Sequence, residues 1–227
     1  MKYGIICAME EEIKELLAHL SEKKQTEIGG TDFYEGLIND QPVVLVRCGI
    51  GKVQAAITTA LLIVDFKVSA VINSGSAGGI GAGLHVGDLV LSSGAAYHDV
   101  NATAFGYKMG QLPQQPQIYQ ADKDLVAKIA KAAFKVGLKT KRGLIVSGDQ
   151  FVADGTEIKR IKKIYPQALC CEMEGCAVAQ TAYQFKVPFA IIRAMSDVGD
   201  ENAGQSFDEF IIDAGRRSSQ MLLNIFK

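Results

Sequence analysis

A three-layer α/β/α sandwich is predicted by three observations. Apolar strand-like runs alternate with helical patterns along the whole chain. Several of those strands are apolar throughout rather than on one face, as strands are when helices cover both sides of a sheet. With 227 residues, the chain can bury one large core. A single domain over residues 1–227 is expected, since no linker, repeat or low-complexity segment divides it.

The elements follow in order. Residues 3–8 read as a first buried strand, and residues 11–20 as a helix behind Glu10-Glu11-Glu12. Residues 31–38 form a strand that Asn39-Asp40 turns into the next run at 43–48. The helix over 52–66 sets Val53, Ile57, Leu61 and Val64 on one face at 3.6 residues per turn. Further strands fall at 70–73, 88–92, 143–147, 168–172 and 189–195, and further helices at 123–136, 157–164, 175–185 and 207–226. Residues 99–121 resist assignment: Gly106, Gly110, Pro113 and Pro116 alternate with Phe105, Tyr107, Met109 and Leu112. A loop of this length packs on its own chain or offers a surface to a partner.

Composition narrows the function classes. Apolar residues make up 48% of the chain and charged residues 22%, and the formal net charge is −1. A near-neutral chain has no electrostatic reason to bind nucleic acid or an anionic membrane surface. No apolar run reaches the ~20 residues of a membrane helix. The apolar N-terminus meets three glutamates where a signal peptide needs a cleavage site. Cys7, Cys48, Cys170, Cys171 and Cys176 are odd in number and mostly lie in apolar runs, so reduced thiols and a cytoplasmic setting are expected. Neither Cys-x-x-Cys nor His-Glu-x-x-His occurs, and no metal site is expected.

Open α/β sheets bind ligands beyond the carboxyl ends of their strands. The residues there are Met9-Glu10-Glu11-Glu12, Gly49-Ile50-Gly51, Ser74-Gly75-Ser76-Ala77-Gly78-Gly79, Gly148-Asp149-Gln150-Phe151, Met173-Glu174-Gly175 and Ser196-Asp197. Each has a purely structural reading. The glutamates suit the positive end of a helix, Glu174 and Asp197 suit helix caps or turns, and the glycines suit tight turns. Their gathering at one rim favours a site without naming a reaction. Cys48-Gly49-Ile50-Gly51-Lys52-Val53 is not a dinucleotide fingerprint, because Gln54 stands at the third glycine position. It is not a phosphate loop either, because Val46 stands at the first.

Taken together these segments resemble the 5′-methylthioadenosine/S-adenosylhomocysteine nucleosidases of the purine nucleoside phosphorylase superfamily. The matching stretches are Gly4 to Glu12, Asn73 to Gly79, Ser147 to Phe151, Glu172 to Ala177 and Arg193 to Asp197. They span nearly the whole chain in the family's order. The resemblance implies a nucleoside phosphorylase-like sandwich on a central mixed sheet, and hydrolysis of the bond between adenine and a 5′-thio-substituted ribose without a cofactor.

It also implies roles. Asp197 protonates the imidazole-ring nitrogen of the leaving purine, Ser76 orients that carboxylate, and Glu12 takes a proton from the attacking water. Glu174 accepts from the ribose hydroxyls and favours the oxocarbenium-like sugar. Met173 packs under the ribose, and Arg193 orders the water and carboxylates. Phe151 stacks on adenine, the Val152 backbone reads its edge, and Gly78 and Ser196 also contact the substrate. Met9, Ile50 and Phe207 surround the 5′ group, with Phe105, Tyr107 and Pro113 supplied by the second subunit of a homodimer. Ala102 is smaller than the apolar residue the family carries there. Related phosphorylases carry a Gly/Arg pattern after the first strand and an Arg before the Gly-Ser motif. Met9-Glu10-Glu11-Glu12 and Asn73 stand in those places, so water is favoured over phosphate as the nucleophile. The alternatives are a phosphate-dependent phosphorylase, a nucleoside-binding protein without catalysis, and nicotinamide-dependent redox chemistry.

Overall fold

The structure, a computed structural model, describes residues 1–198 and 203–226, the side chains of 203–209 and 214 excepted. The strands are β1 (Tyr3–Cys7), β2 (Ser21–Ile28), β3 (Thr31–Ile38), β4 (Gln41–Arg47) and β5 (Ala70–Gly79), then β6 (Leu89–Tyr97), β7 (Tyr119–Gln120), β8 (Thr140–Ser147), β9 (Ala168–Glu172) and β10 (Phe189–Asp197). The helices are α1 (Glu10–Ala18), α2 (Lys52–Val64), α3 (Lys123–Lys135), α4 (Gly155–Ile164), α5 (Gly175–Gln184) and α6 (Ala203–Ile225).

The strands join in the order β10-β6-β8-β9-β5-β1-β4-β3-β2, and β10 also pairs with β5. β1 lies parallel to both β4 and β5, whereas β3 runs antiparallel to β4. The sheet is therefore mixed, and the β5–β10 pairing curls one half of it back on itself. Helices cover both faces, with α1, α3 and α6 packed together against one and α2 and α5 together on the other. β1 and β10 are buried at every residue, which explains their uninterrupted apolar character.

One expectation is corrected, and two further features were not expected from the sequence. The strand expected at 70–73 continues to Gly79, so the Gly-Ser stretch is strand and not a loop beyond it. The reason is pairing: β10 runs alongside β5 from Val71 to Gly78, and small residues let the backbones approach. β2 carries no apolar signal in its sequence because it is an exposed edge strand, with Lys23 and Lys24 on it. The apolar stripe of α2 points away from its own core: Val53 is 69% exposed and Ile57 54%, and the buried face is Ala55, Thr58, Thr59 and Leu62.

Candidate active site

Glu12 is the third residue of α1, and its carboxylate folds back over the end of β1. Its Oε2 accepts from the Ala8 N–H at 2.9 Å and the Met9 N–H at 3.1 Å. Its Oε1 accepts from the Ser76 N–H and from the Ser76 hydroxyl, each at 3.0 Å. Three of the four donors are backbone groups, so this buried carboxylate is held in one orientation. The helix-end reading and the site reading of Glu12 thus hold together.

The expected pairing of Ser76 with Asp197 is corrected. In the β5–β10 register Ser76 faces Ala194, and Asp197 faces Gly78 two residues further on. Ser76 therefore meets Glu12. The hydroxyl beside Asp197 is that of Ser196, which donates to Oδ2 at 2.9 Å. The register shifts between Met195 and Asp197. Such a bulge re-aims side chains, which accounts for neighbouring residues Ser196 and Asp197 both lining one cavity. Gly78 leaves room for the acid: a Cβ there would stand 2.8 Å from Asp197 Oδ1.

Behind the cavity lies a buried charge cluster. Arg193 Nη2 donates to Glu172 Oε2 and, at 2.5 Å, to Asn73 Oδ1, and it stands 3.7 Å from Glu174 Oε2. Burial opposes the guanidinium charge, but Glu172, Glu174 and Glu12 outweigh it and raise the Arg193 pKa further. Glu172 is the residue that sequence reasoning missed. It takes the Ser147 hydroxyl and the N–H groups of Glu174 (3.0 Å) and Gly175 (2.7 Å), and so closes the start of α5. A second carboxylate two positions before Glu174, at the end of an apolar strand, was its available signal. Burial first, and then the nearby Glu172, push Glu174 up to about 7, against the pull of Arg193 and of the Gly51 N–H. That N–H donates to Glu174 Oε1 at 2.9 Å.

These groups surround a cavity of about 310 Å³, within the range of small-molecule sites. Of the sequence-predicted residues, Glu12, Ser76, Gly78, Glu174, Ser196 and Asp197 line it, as do Met9, Ile50, Phe151, Val152 and Met173. Arg193 stands behind the wall. Phe105, Tyr107 and Pro113 do not line the cavity of their own chain, and Phe105 is 80% exposed on a 3-10 turn, Thr103–Phe105. Ala102 is buried ahead of that turn, away from the cavity lining. Phe207 falls on α6, and its side chain lies outside the described residues.

A curled mixed sheet with carboxylates gathered at its strand ends around one such cavity defines the class, and the family model of the phosphorylase superfamily matches residues 2–227. A 5′-methylthioadenosine/S-adenosylhomocysteine nucleosidase of Actinobacillus succinogenes is 46% identical over 99% of this chain and 98% of its own. The nucleosidase structure from S. pneumoniae with the transition-state inhibitor MT-ImmA aligns at a TM-score of 0.96 and 46% identity, covering 100% of this chain and 99% of that one. The nucleosidase from Colwellia psychrerythraea, in complex with adenine, aligns at 0.97 and 43%, over 100% and 94%. Within the superfamily, the chain belongs to the 5′-methylthioadenosine/S-adenosylhomocysteine nucleosidase family.

Proposed function

We propose that the chain, acting as one catalytic domain over residues 1–227, hydrolyses the N-glycosidic bond of 5′-methylthioadenosine and S-adenosylhomocysteine, and of 5′-deoxyadenosine. The products are adenine and the corresponding 5-substituted ribose. The observation that carries this reading is that Glu12 and Asp197 line the same cavity. Asp197 gives its proton to the imidazole-ring nitrogen of the purine as the C–N bond breaks. Glu12 takes a proton from the water that attacks the sugar, and the Ser76 hydroxyl shares that carboxylate with the water. Glu174 accepts from the ribose hydroxyls and stabilises the positive charge growing on the ring. Arg193 keeps Glu172 and Glu174 fixed while this happens. Among the described residues lining the cavity none is Lys, Arg or His, which supports water rather than phosphate as the nucleophile.

The same reading makes the protein a homodimer in which Phe105, Tyr107 and Pro113 of one copy close the 5′ pocket of the other. The exposed stripe of Val53, Ile57 and Val64, together with the exposed Phe105, Tyr183 and Phe185, supports it. All five cysteines are free and buried, which supports a cytoplasmic setting. No helix among the described residues is long and apolar enough to cross a membrane.

Chromatography of 5′-methylthioadenosine incubated with the protein in phosphate-free buffer tests the reaction. Free adenine is expected, and Asp197→Asn lowers its rate ~10²–10⁴-fold with the fold kept. Adenine that forms only after phosphate is added turns the assignment to a phosphorylase. Substrate that survives long incubation turns it to a binding protein.

A further inference from the structure

The Gly49-Ile50-Gly51-Lys52 turn, which fits neither a dinucleotide nor a phosphate motif, is tied into a closed ring of polar contacts. The Lys52 N–H opens α2 and donates to Asp149 Oδ1 at 2.8 Å. The Asp149 N–H donates to Asp99 Oδ2 at 3.0 Å. The Lys52 ammonium returns to Asp99 Oδ2 at 2.5 Å and stands 3.6 Å from Asp149 Oδ2. It also sits 5.4 Å from the centroid of the Tyr97 ring. Gly51 has a φ of 101°, and a Cβ there would stand 3.2 Å from Asp149 Oδ1. The ring of contacts therefore needs a glycine at this point.

Three chain segments meet at this lysine, and each serves the pocket differently. The turn before α2 carries Ile50, and the segment after β8 carries Phe151 and Val152, all of them lining the cavity; in the nucleosidase reading the first faces the 5′ group and the other two the base. Asp99 is the root of the 99–121 loop. The first segment is also fastened from inside, because the Gly51 N–H donates to Glu174. The segments also pack through Ala55, Tyr97 and Val152 and through the β6–β8 pairing that ends at Tyr97 and Ser147, and the ionic ring is the polar tie that joins all three. The Lys52 and Asp99 side chains are only 22% and 25% exposed, so water weakens the pair less than it would at an open surface.

We infer that Lys52, with Asp99 and Asp149, is a positioning residue that sets the width of the nucleoside pocket by clamping the Ile50 turn, the Phe151 segment and the root of the 99–121 loop together. This inference rests on the nucleosidase reading for its kinetic consequence, but not for its structural one. The clamp acts on binding more than on the proton transfers, because it touches neither Glu12 nor Asp197.

The test compares wild type, Lys52→Met and Lys52→Arg in two measurements. One is KM and kcat for 5′-methylthioadenosine from about 50 mM to about 500 mM salt; the other is amide hydrogen exchange over residues 48–53 and 147–152. Lys52→Met is expected to raise KM about fivefold, with kcat falling less than about twofold, and to speed exchange in both segments about fivefold. Lys52→Arg restores most of the loss. Wild-type KM changes little with salt, because the pair is largely shielded. A Lys52→Met protein with wild-type KM and wild-type exchange overturns the inference. So does a folded Lys52→Arg protein whose KM and exchange are no better than those of Lys52→Met. If wild type cleaves nothing, the nucleosidase reading fails while hydrogen exchange still decides the clamp.

Discussion

Gly75 of β5 lies against both Glu12 and Arg193, and Gly75→Ala isolates that contact. A Cβ at this position would sit 2.5 Å from Arg193 Nη1 and 2.8 Å from Glu12 Oε1. Ordinary van der Waals contact begins at 3.4 Å, so the added methyl is about 0.9 Å too close to the guanidinium. Neither neighbour has room to give way. Arg193 is 1% exposed and tied to Glu172 and Asn73, and Glu12 is held by four hydrogen bonds. The backbone of Gly75 is not in the left-handed region, so the cost is steric rather than conformational. Overpacking of this kind costs about 1–3 kcal/mol of stability. A shift of about 1 Å in the group proposed to activate water costs on the order of 10²-fold in rate. Steady-state kinetics should show kcat for 5′-methylthioadenosine falling ~100-fold, and urea unfolding should show a folded protein weakened by the amount above. A Gly75→Ala enzyme within twofold of wild type would mean that the placement of Glu12 against β5 does not govern catalysis.

Two further outcomes follow from the buried charges. Arg193→Met strands the carboxylates of Glu172 and Glu174, and the expected loss is about 3–5 kcal/mol in urea unfolding; a loss below about 1 kcal/mol would show that the cluster does not depend on its cation. Glu174, pushed up to about 7 by burial and by Glu172, must be ionised to favour a cationic sugar. kcat/KM should therefore show a rising limb with pH centred near 7, and Glu174→Gln should be slower and lack that limb. The stability sign is the reverse of the usual carboxylate. Between the ordinary value of 4.5 and about 7 the folded state keeps a proton that the unfolded state has shed, so this group's contribution declines as pH rises through that window. A melting temperature for wild type and Glu174→Gln across that range checks it, and parallel curves would contradict the assignment.

The alternation of apolar runs and helical periods made the α/β class legible, and all six helices and most strands fall near their expected positions. That signal is strong because a strand covered on both faces has no polar residue to dilute it. β2 stayed hidden because an edge strand facing water looks like a loop in composition. The α2 stripe was legible as a stripe but not in its direction: periodicity shows which residues share a face, not what covers that face. The motif segments pointed to Glu12, Glu174 and Asp197, which line one cavity, yet the partners of Ser76 and the contacts of Glu172 were not readable. Both depend on strand register, and β5 and β10 lie more than a hundred residues apart in the chain.

By itself the sequence determined the order of the helices and of the apolar strands, the apolar core and the set of acidic and glycine-rich strand ends, because local pattern and residue chemistry carry that information. The tertiary structure decided which hydroxyl meets which carboxylate, that Glu172 anchors Arg193, and that Lys52 joins three segments. These are questions of distance between remote parts of the chain. A two-residue offset in one parallel register is enough to give Ser76 to Glu12 and Ser196 to Asp197.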